Sequence, residues 1–188
     1  MGRSAAESLK GQTETLVAAA TAAAAWFRRP APSALSAART ARLRALGWRE
    51  AAVTANKAFR GLAKTDAADA SFALREAVEH SAQAVSEAVR YGVEPDDGLV
   101  KTADAVREAA KALAAAAAGR GKVRTEALVL AKKWAGEAER LRRLTRSEAH
   151  ELPSLMNALK RETVSNRLSN AAEAMQQACD ALAGGLVE

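Results

Sequence analysis

Apolar residues recur every three or four positions along nearly the whole chain. The run near its end is the clearest. Val164, Leu168, Ala171, Met175, Ala178 and Leu182 alternate by four and three, the spacing of one seam on a long helix. Pro153 suits the first helical turn, where its missing N–H is no loss. Gly184 and Gly185 supply a left-handed stop. Such a helix has about 30 residues and spans roughly 45 Å. A rod of that length is not stable alone, so its seam requires other helices to pack against.

Five more helices are predicted. The first, about 4–27, carries Ala5, Leu9, Gln12, Leu16, Ala19, Ala23 and Trp26, and breaks at Arg28-Arg29-Pro30-Ala31-Pro32. The second, 33–64, starts from Ser33 as N-cap and carries Ala38, Ala41, Ala45, Trp48, Ala52, Ala55, Phe59 and Leu62. Leu43, Leu46 and Val53 widen its buried face, and Gly47 marks a kink or a close crossing. Lys64 to Asp69 reads as a short connection with Thr65 and Asp66 as competing caps. The third helix, 66–91, follows with Leu74, Val78, Ser81, Val85 and Ala88. Glu94, Pro95, Asp96, Asp97 and Gly98 make a turn that places acids at the start of the fourth helix, 97–118. That helix shows Leu99, Ala103, Val106, Ala110, Leu113 and Ala117, and stops at Gly119-Arg120-Gly121.

The fifth helix, 122–150, carries Val123, Ala127, Leu130, Trp134, Ala138 and Leu141, although strict continuation of the seam falls on Glu137 rather than Ala138. The sixth is 153–184. No strand alternation competes with these patterns. Short connections make consecutive helices antiparallel, so the expected fold is an all-α, up-and-down bundle of about six helices in one domain.

Composition refines the picture. Of 188 residues 49% are hydrophobic, much of it alanine, and only 4% are aromatic. Alanine favours helix and lets helices approach closely but buries little area per residue. The net charge of +6 is mild and suits a solvated surface, while leaving room for an anionic partner. A lone cysteine, Cys179, excludes an intramolecular disulfide and reads as a small buried thiol. The most apolar run, Leu16 to Phe27, is short of the roughly 20 residues a membrane span needs. Glu7 and Glu14 before it spoil a signal-peptide reading, so the expected location is cytoplasmic.

Candidate chemistry is sparse. His80 and His150 are the only imidazoles, and neither sits in a triad context. No glycine-rich loop follows a strand. The expectation is therefore a protein that is not an enzyme and has no cofactor. Asp104 with Glu108, Glu76 with His80, Glu79 with Gln83 and Glu173 with Gln177 have the spacing of inward-facing metal ligands on bundle helices, which is also the spacing of a solvated face. Asp104 and Glu108 flank the fourth stripe and are expected to face water. Glu137 falls on or beside the fifth seam. Either it is buried against an arginine or a metal, or the seam passes through Ala138 and Glu137 snorkels outward. Two arginine groups, Arg39, Arg42, Arg44 and Arg49, then Arg140, Arg142, Arg143 and Arg146, spread around their helices without interleaved aromatics, unlike a single-strand stacking platform.

From Phe72 onward the chain resembles the PhoU-like accessory proteins of Pit-type phosphate transporters. Leu74-Arg-Glu-Ala-Val-Glu-His-Ser-Ala-Gln83 is similar to that family's Leu-x-x-x-Leu-Asp-x-x-x-Asp. Glu137-Ala-Glu-Arg-Leu141 is similar to its Glu-Ala-Asp-Arg-Leu, and Leu168 to Ala178 to its final helix. The resemblance implies an antiparallel bundle of two three-helix units sharing one core. It also implies a role at the inner face of the membrane with a phosphate transporter or its signalling apparatus, and surface Glu/Asp-x-x-x-Asp pairs that hold iron or zinc.

The implied pairs fall on Glu79 and Gln83, on Ala135 and Glu139, and on Ser169 and Glu173, so one carboxylate of each is neutral here. A cation shell wants several anionic or imidazole ligands. The expectation is no bound metal, with Glu79, Glu139 and Glu173 as the residual candidates. The expected function is a non-catalytic regulator or adaptor of phosphate uptake or signalling that docks through a helical surface, with a homodimer also open to it. The rival expectation is a basic helical protein that binds nucleic acid or anionic membrane by counterion release.

Overall fold

The computed structural model describes the backbone of residues 5–58, 63–149 and 154–184, and the side chains of residues 9–46, 68–147 and 154–184. The described residues form six helices, α1 (Ala5–Arg28), α2 (Pro32–Ala58), α3 (Ala63–Tyr91), α4 (Asp97–Ala118), α5 (Gly121–Ala149) and α6 (Leu155–Gly184). No strand occurs among them. The bundle class and the helix count are those the periodicity predicts.

Four helices, α1, α3, α6 and α4, close a ring in which each touches the next. The diagonals α1–α6 and α3–α4 make no contact among the described residues. Outside the ring, α2 packs on α1 and α3, and α5 packs on α4 and α6. The chain thus forms two three-helix units, α1–α3 and α4–α6, joined along α1–α4 and α3–α6. The ring helices must bury two faces each, and alanine makes this possible. On α4 both Leu99, Ala103, Val106, Ala110, Leu113 and the parallel stripe Thr102, Ala105, Ala109, Ala112, Ala116 are buried. Val164, Leu168, Ala171, Met175, Ala178 and Leu182 of α6 are all buried as the seam predicts.

Local chemistry sets the ends. Pro32, not Ser33, opens α2, because a proline at the first helical position forfeits a hydrogen bond that no partner would have made. Lys64 to Asp69 is helix rather than connection. The alanines of this stretch carry α3 back to Ala63, past the would-be caps Thr65 and Asp66. At the far end of α3, Gly92 takes φ +62. The Val93 N–H then reaches the Ala88 carbonyl at 2.9 Å, a left-handed cap. The predicted α2 positions Trp48, Ala52, Val53, Ala55, Phe59 and Leu62, together with His150 and Pro153, lie outside the residues whose side chains are described. α2 remains helical through Gly47.

Two expected seams are corrected. Leu43 and Leu46 do not widen the buried face of α2; they are 68% and 51% exposed. An outer helix needs only the narrow stripe Ala38, Ala41, Ala45 to seat on α1 and α3. In α5 the buried stripe is Leu128, Ala131, Ala135, Ala138 and Thr145. Val123, Leu130 and Leu144 are exposed, and Ala127, Trp134 and Leu141 are half-buried at the flank. The groove between α4 and α6 is lined largely by small residues, so the small face of α5 enters it and the bulky one is turned aside.

One polar cluster ties three helix ends together. Asp96 caps α4 by accepting from the Leu99 N–H at 2.9 Å. Arg161 of α6 donates from Nε to Asp96 at 2.5 Å and from Nη1 to the Thr145 carbonyl of α5 at 2.9 Å. Gly98 lies beneath this clasp. A Cβ there would stand 2.6 Å from Thr145 Oγ1 and 3.1 Å from Asp96 Oδ1. Gly98→Ala is expected to cost about 1–3 kcal/mol by overpacking, despite alanine's better helix propensity. Urea unfolding followed by circular dichroism measures it.

Candidate functional site

A polar concavity that joins sequence-marked residues lies between α5 and α6. It is a cleft of about 400 Å³ lined by Ala135, Glu139, Arg142, Asn166, Ser169 and Glu173, among others. The antiparallel hairpin brings two of the marked pairs, Ala135 with Glu139 and Ser169 with Glu173, face to face. Heptad register on each helix does the rest, since positions four apart share a face.

Glu139 is fully engaged at the cleft wall. It accepts from Arg142 Nε at 3.0 Å and Nη2 at 2.9 Å, from Arg143 Nε at 3.3 Å, and from the Ser169 hydroxyl across the cleft. The Arg142 hydrogen bonds outweigh the cost of burial and, with Ser169 and Arg143, hold its carboxyl at about 2. A carboxyl lowered this way contributes stability above its unfolded value of 4.5, and loses it as pH falls toward 2. Glu139→Gln is therefore expected to cost about 1–2 kcal/mol at pH 7, after discounting for partial exposure, and much less at pH 2.5. Urea unfolding at the two pH values checks this. Glu173 shares the cleft but is exposed.

The other unit has a comparable arrangement. Glu79 of α3 accepts from Arg42 Nε of α2 at 2.8 Å and from Gln83 Nε2 at 2.6 Å. The residual metal candidates thus do not form one set: Glu139 and Glu173 line a cleft, while Glu79 belongs to the α2–α3 pair. Among the described residues no three His, Cys, Asp or Glu side chains gather into a cation shell. The residues present do not fit the iron or zinc that the resemblance implies. In both units a guanidinium occupies the carboxylate lone pairs that a cation would need.

The remaining candidates resolve similarly. Asp104 and Glu108 do not simply face water; both are half-buried. Asp104 pairs with Arg28 of α1 at 2.8 Å and with Arg107 at 3.3 Å. Glu108 pairs with Lys111 at 3.0 Å and Arg107 at 2.9 Å. Glu137 is not buried on the seam, which passes through Ala138. It turns outward and takes a two-bond fork from Arg140, at 2.8 and 2.6 Å. That fork lowers its carboxyl. His80 is half-buried, with Nε2 3.9 Å from Glu76 and Nδ1 unpartnered. Burial and then Arg167 lower its pKa against the pull of Glu76, Glu79 and Glu87. No hydroxyl or thiol bonds to His80 among the described residues, so no nucleophile is activated there.

Burial pushes the Cys179 thiol up to about 12. A thiol reagent is expected to modify it only as fast as the protein unfolds, with full reaction in 6 M guanidinium. Release of thionitrobenzoate at 412 nm follows the reaction. The second arginine group is spent on acids, through Arg140–Glu137, Arg142–Glu139, Arg143–Glu139 and Arg146–Glu162. Of the first group, Arg42 is paired with Glu79, while Arg39 and Arg44 are exposed with no ion pair among the described residues.

Arg161 is the residue the periodic reading passed over, although a signal for it exists. It lies three positions before Val164, on the buried α6 seam, where a charge requires a partner.

The fold and these sites define an all-α bundle of two three-helix units in which the marked acids Glu79 and Glu139 are held by arginine. No helix among the described residues is long and apolar enough to cross a membrane. A scan of protein-family models finds no match to the chain, nor does a search of curated proteins.

Proposed function

We propose that the protein is a non-catalytic regulator or adaptor of phosphate uptake or phosphate signalling, acting at the inner face of a membrane by docking a helical surface onto a transporter or kinase. The observation that carries this reading is the α5–α6 cleft, where the positions singled out by the resemblance, Glu139, Ser169 and Glu173, come together. The division into two three-helix units supports it as well. The distribution of charge favours docking over catalysis. The outer helix α2 carries five basic residues against one acid, and the outer helix α5 eight against four, so each is +4. The ring helices α1, α4 and α6 each balance to zero and α3 is −2. The excess of basic residues therefore belongs to the two outer helices.

Affinity purification from the native host tests the reading, with a phosphate transporter expected among the enriched partners. Absence of any transport protein counts against it. The exposed Arg39 and Arg44 favour a second reading, contact with nucleic acid or an anionic membrane. That contact would weaken steeply between 50 and 300 mM salt, and no binding at the lower salt eliminates it.

A further inference from the structure

We propose that the outward ridge of α2 seats on an anionic membrane surface, with Arg39 and Arg44 on lipid phosphates and Leu43 and Leu46 reaching the acyl boundary. The proposal deepens the membrane arm of the second reading above, and it fits the first, which also works at a membrane face. α2 touches only α1 and α3 among the described residues, so its far side has no partner within the bundle. Ala34, Ala38, Ala41 and Ala45 form the buried stripe that seats it. At about 100° per residue, Leu43 stands on the ridge directly opposite that stripe. Arg39 and Leu46 lie on the flank toward α3, the side marked by the Arg42–Glu79 pair, and Arg44 lies on the flank toward α1. All four side chains are exposed, and neither leucine packs on the core.

Charge says what covers this ridge. No Asp or Glu occurs between Glu14 and Glu50, while six arginines fall between positions 28 and 49. Arg28 and Arg42 are engaged by Asp104 and Glu79. Arg29, Arg39 and Arg44 are exposed and have no ion pair among the described residues. On this side of the bundle Glu79 is already held by Arg42 and Gln83, and Glu14 of α1 shares its exposed face with Lys10. α5 has the same net charge, but Glu126, Glu137 and Glu139 stand among its cations and pair with them. A run of cations free of acids attracts an anionic surface. A nucleic-acid duplex would press its phosphates against Leu43 at the crest. A lipid surface instead offers phosphates to the arginines and acyl carbons to the leucines at one depth. A second copy laid on the ridge would set Arg39 and Arg44 against their own counterparts, which charge disfavours.

The test is co-sedimentation of the full chain with phosphatidylcholine vesicles, with and without an equal share of phosphatidylglycerol. Binding is expected only where phosphatidylglycerol is present, and it falls steeply as salt rises from 50 to 300 mM. Arg39→Gln with Arg44→Gln is expected to weaken it roughly tenfold or more, at about fivefold per arginine. Leu43→Ser with Leu46→Ser is expected to weaken it several-fold. All four side chains are exposed, so the circular dichroism melts stay unchanged. Lys133→Gln with Arg143→Gln removes the same charge from α5, which packs on the opposite edge of the ring, and is expected to leave binding within about twofold. An environment-sensitive dye on Leu43→Cys gives a second readout, because buried Cys179 does not take the label. Its emission is expected to move to the blue on the anionic vesicles, while the same dye on Lys133→Cys stays unshifted. Four results overturn the proposal: no binding to the anionic vesicles, an equal loss from the α5 variant, a leucine variant that binds as the wild type does, or duplex DNA bound more tightly than vesicles through the same arginines. Sedimentation showing self-pairing that Leu43→Ser abolishes also overturns it, in favour of a second copy. The readings fail separately. Purification without a transporter leaves vesicle binding standing, and vesicles left unbound leave the phosphate reading to a protein contact.

Discussion

Truncating Phe27 to alanine is expected to lower the unfolding free energy by about 3–5 kcal/mol. Phe27 is the largest fully buried side chain described, at 1% exposure. Its ring meets Trp26 edge-on, with centroids 4.9 Å apart and planes at 88°, the geometry aromatic pairs favour. The chain has only three phenylalanines, three tryptophans and one tyrosine. A core built largely of alanine concentrates its burial in a few large residues and closes poorly over a lost ring. A domain of this kind has about 5–15 kcal/mol in all, so the loss is a large share. Phe72→Ala is the control. Phe72 is 59% exposed, with the Arg75 guanidinium 5.5 Å from its ring centroid, and its loss should cost no more than about 1 kcal/mol. Urea unfolding of both variants by circular dichroism gives the comparison.

Replacing Arg161 by alanine is expected to cost about 2–3 kcal/mol at pH 7. Breaking a buried pair costs about 3–5 kcal/mol when the survivor is left without compensation. The lower figure applies because the Asp96 side chain is 36% exposed while that of Arg161 is 11% exposed. The change removes a second donor from the Thr145 carbonyl and loosens the cap of α4 in one step. Burial raises the Asp96 carboxyl, but the Arg161 hydrogen bond, the Leu99 N–H and the Arg161 charge together bring it below its ordinary value of 3.8. An acid lowered on folding contributes stability above its unfolded value and loses it as pH falls through the folded one. The gap between wild type and Arg161→Ala should therefore be full at pH 7 and narrow below about pH 4. A gap that stays constant down to pH 2.5 would mean the arginine acts by packing alone.

The helices were legible because their stripes run unbroken for several turns. Leu74, Val78, Ser81, Val85 and Ala88 of α3 are all buried, as their spacing requires. The connection before α3 was misread because Thr65 and Asp66 are good caps in isolation, yet the surrounding alanines favour continuing the helix. α5 was misread for a different reason. It offers two apolar stripes, and the sequence ranks them by size while the fold ranks them by fit. Trp134 and Leu130 outrank Ala131 and Ala135 in hydrophobicity, but only the small face enters the groove between α4 and α6.

Glu79, Glu139 and Glu173 lie on the helices the periodicity predicts, and the arginine pairing of Glu79 and Glu139 was not visible. Arg42 is 37 positions from Glu79, so that pair exists only in the packed bundle. Arg142 stands three residues after Glu139, a local spacing equally common on any solvated face. Arg161 was legible in principle, since it continues a buried seam, but its partner Asp96 is 65 positions away.

Glu79 and Glu139 are already satisfied by arginine, and the described residues gather no cation shell around them. Elemental analysis of the purified protein, paired with its melting curve in EDTA and in equimolar zinc, tests this most directly. The expected result is less than about a tenth of an equivalent of iron or zinc, and melting temperatures within about a degree of each other. Stoichiometric metal, with a melt that drops several degrees in chelator, would contradict it.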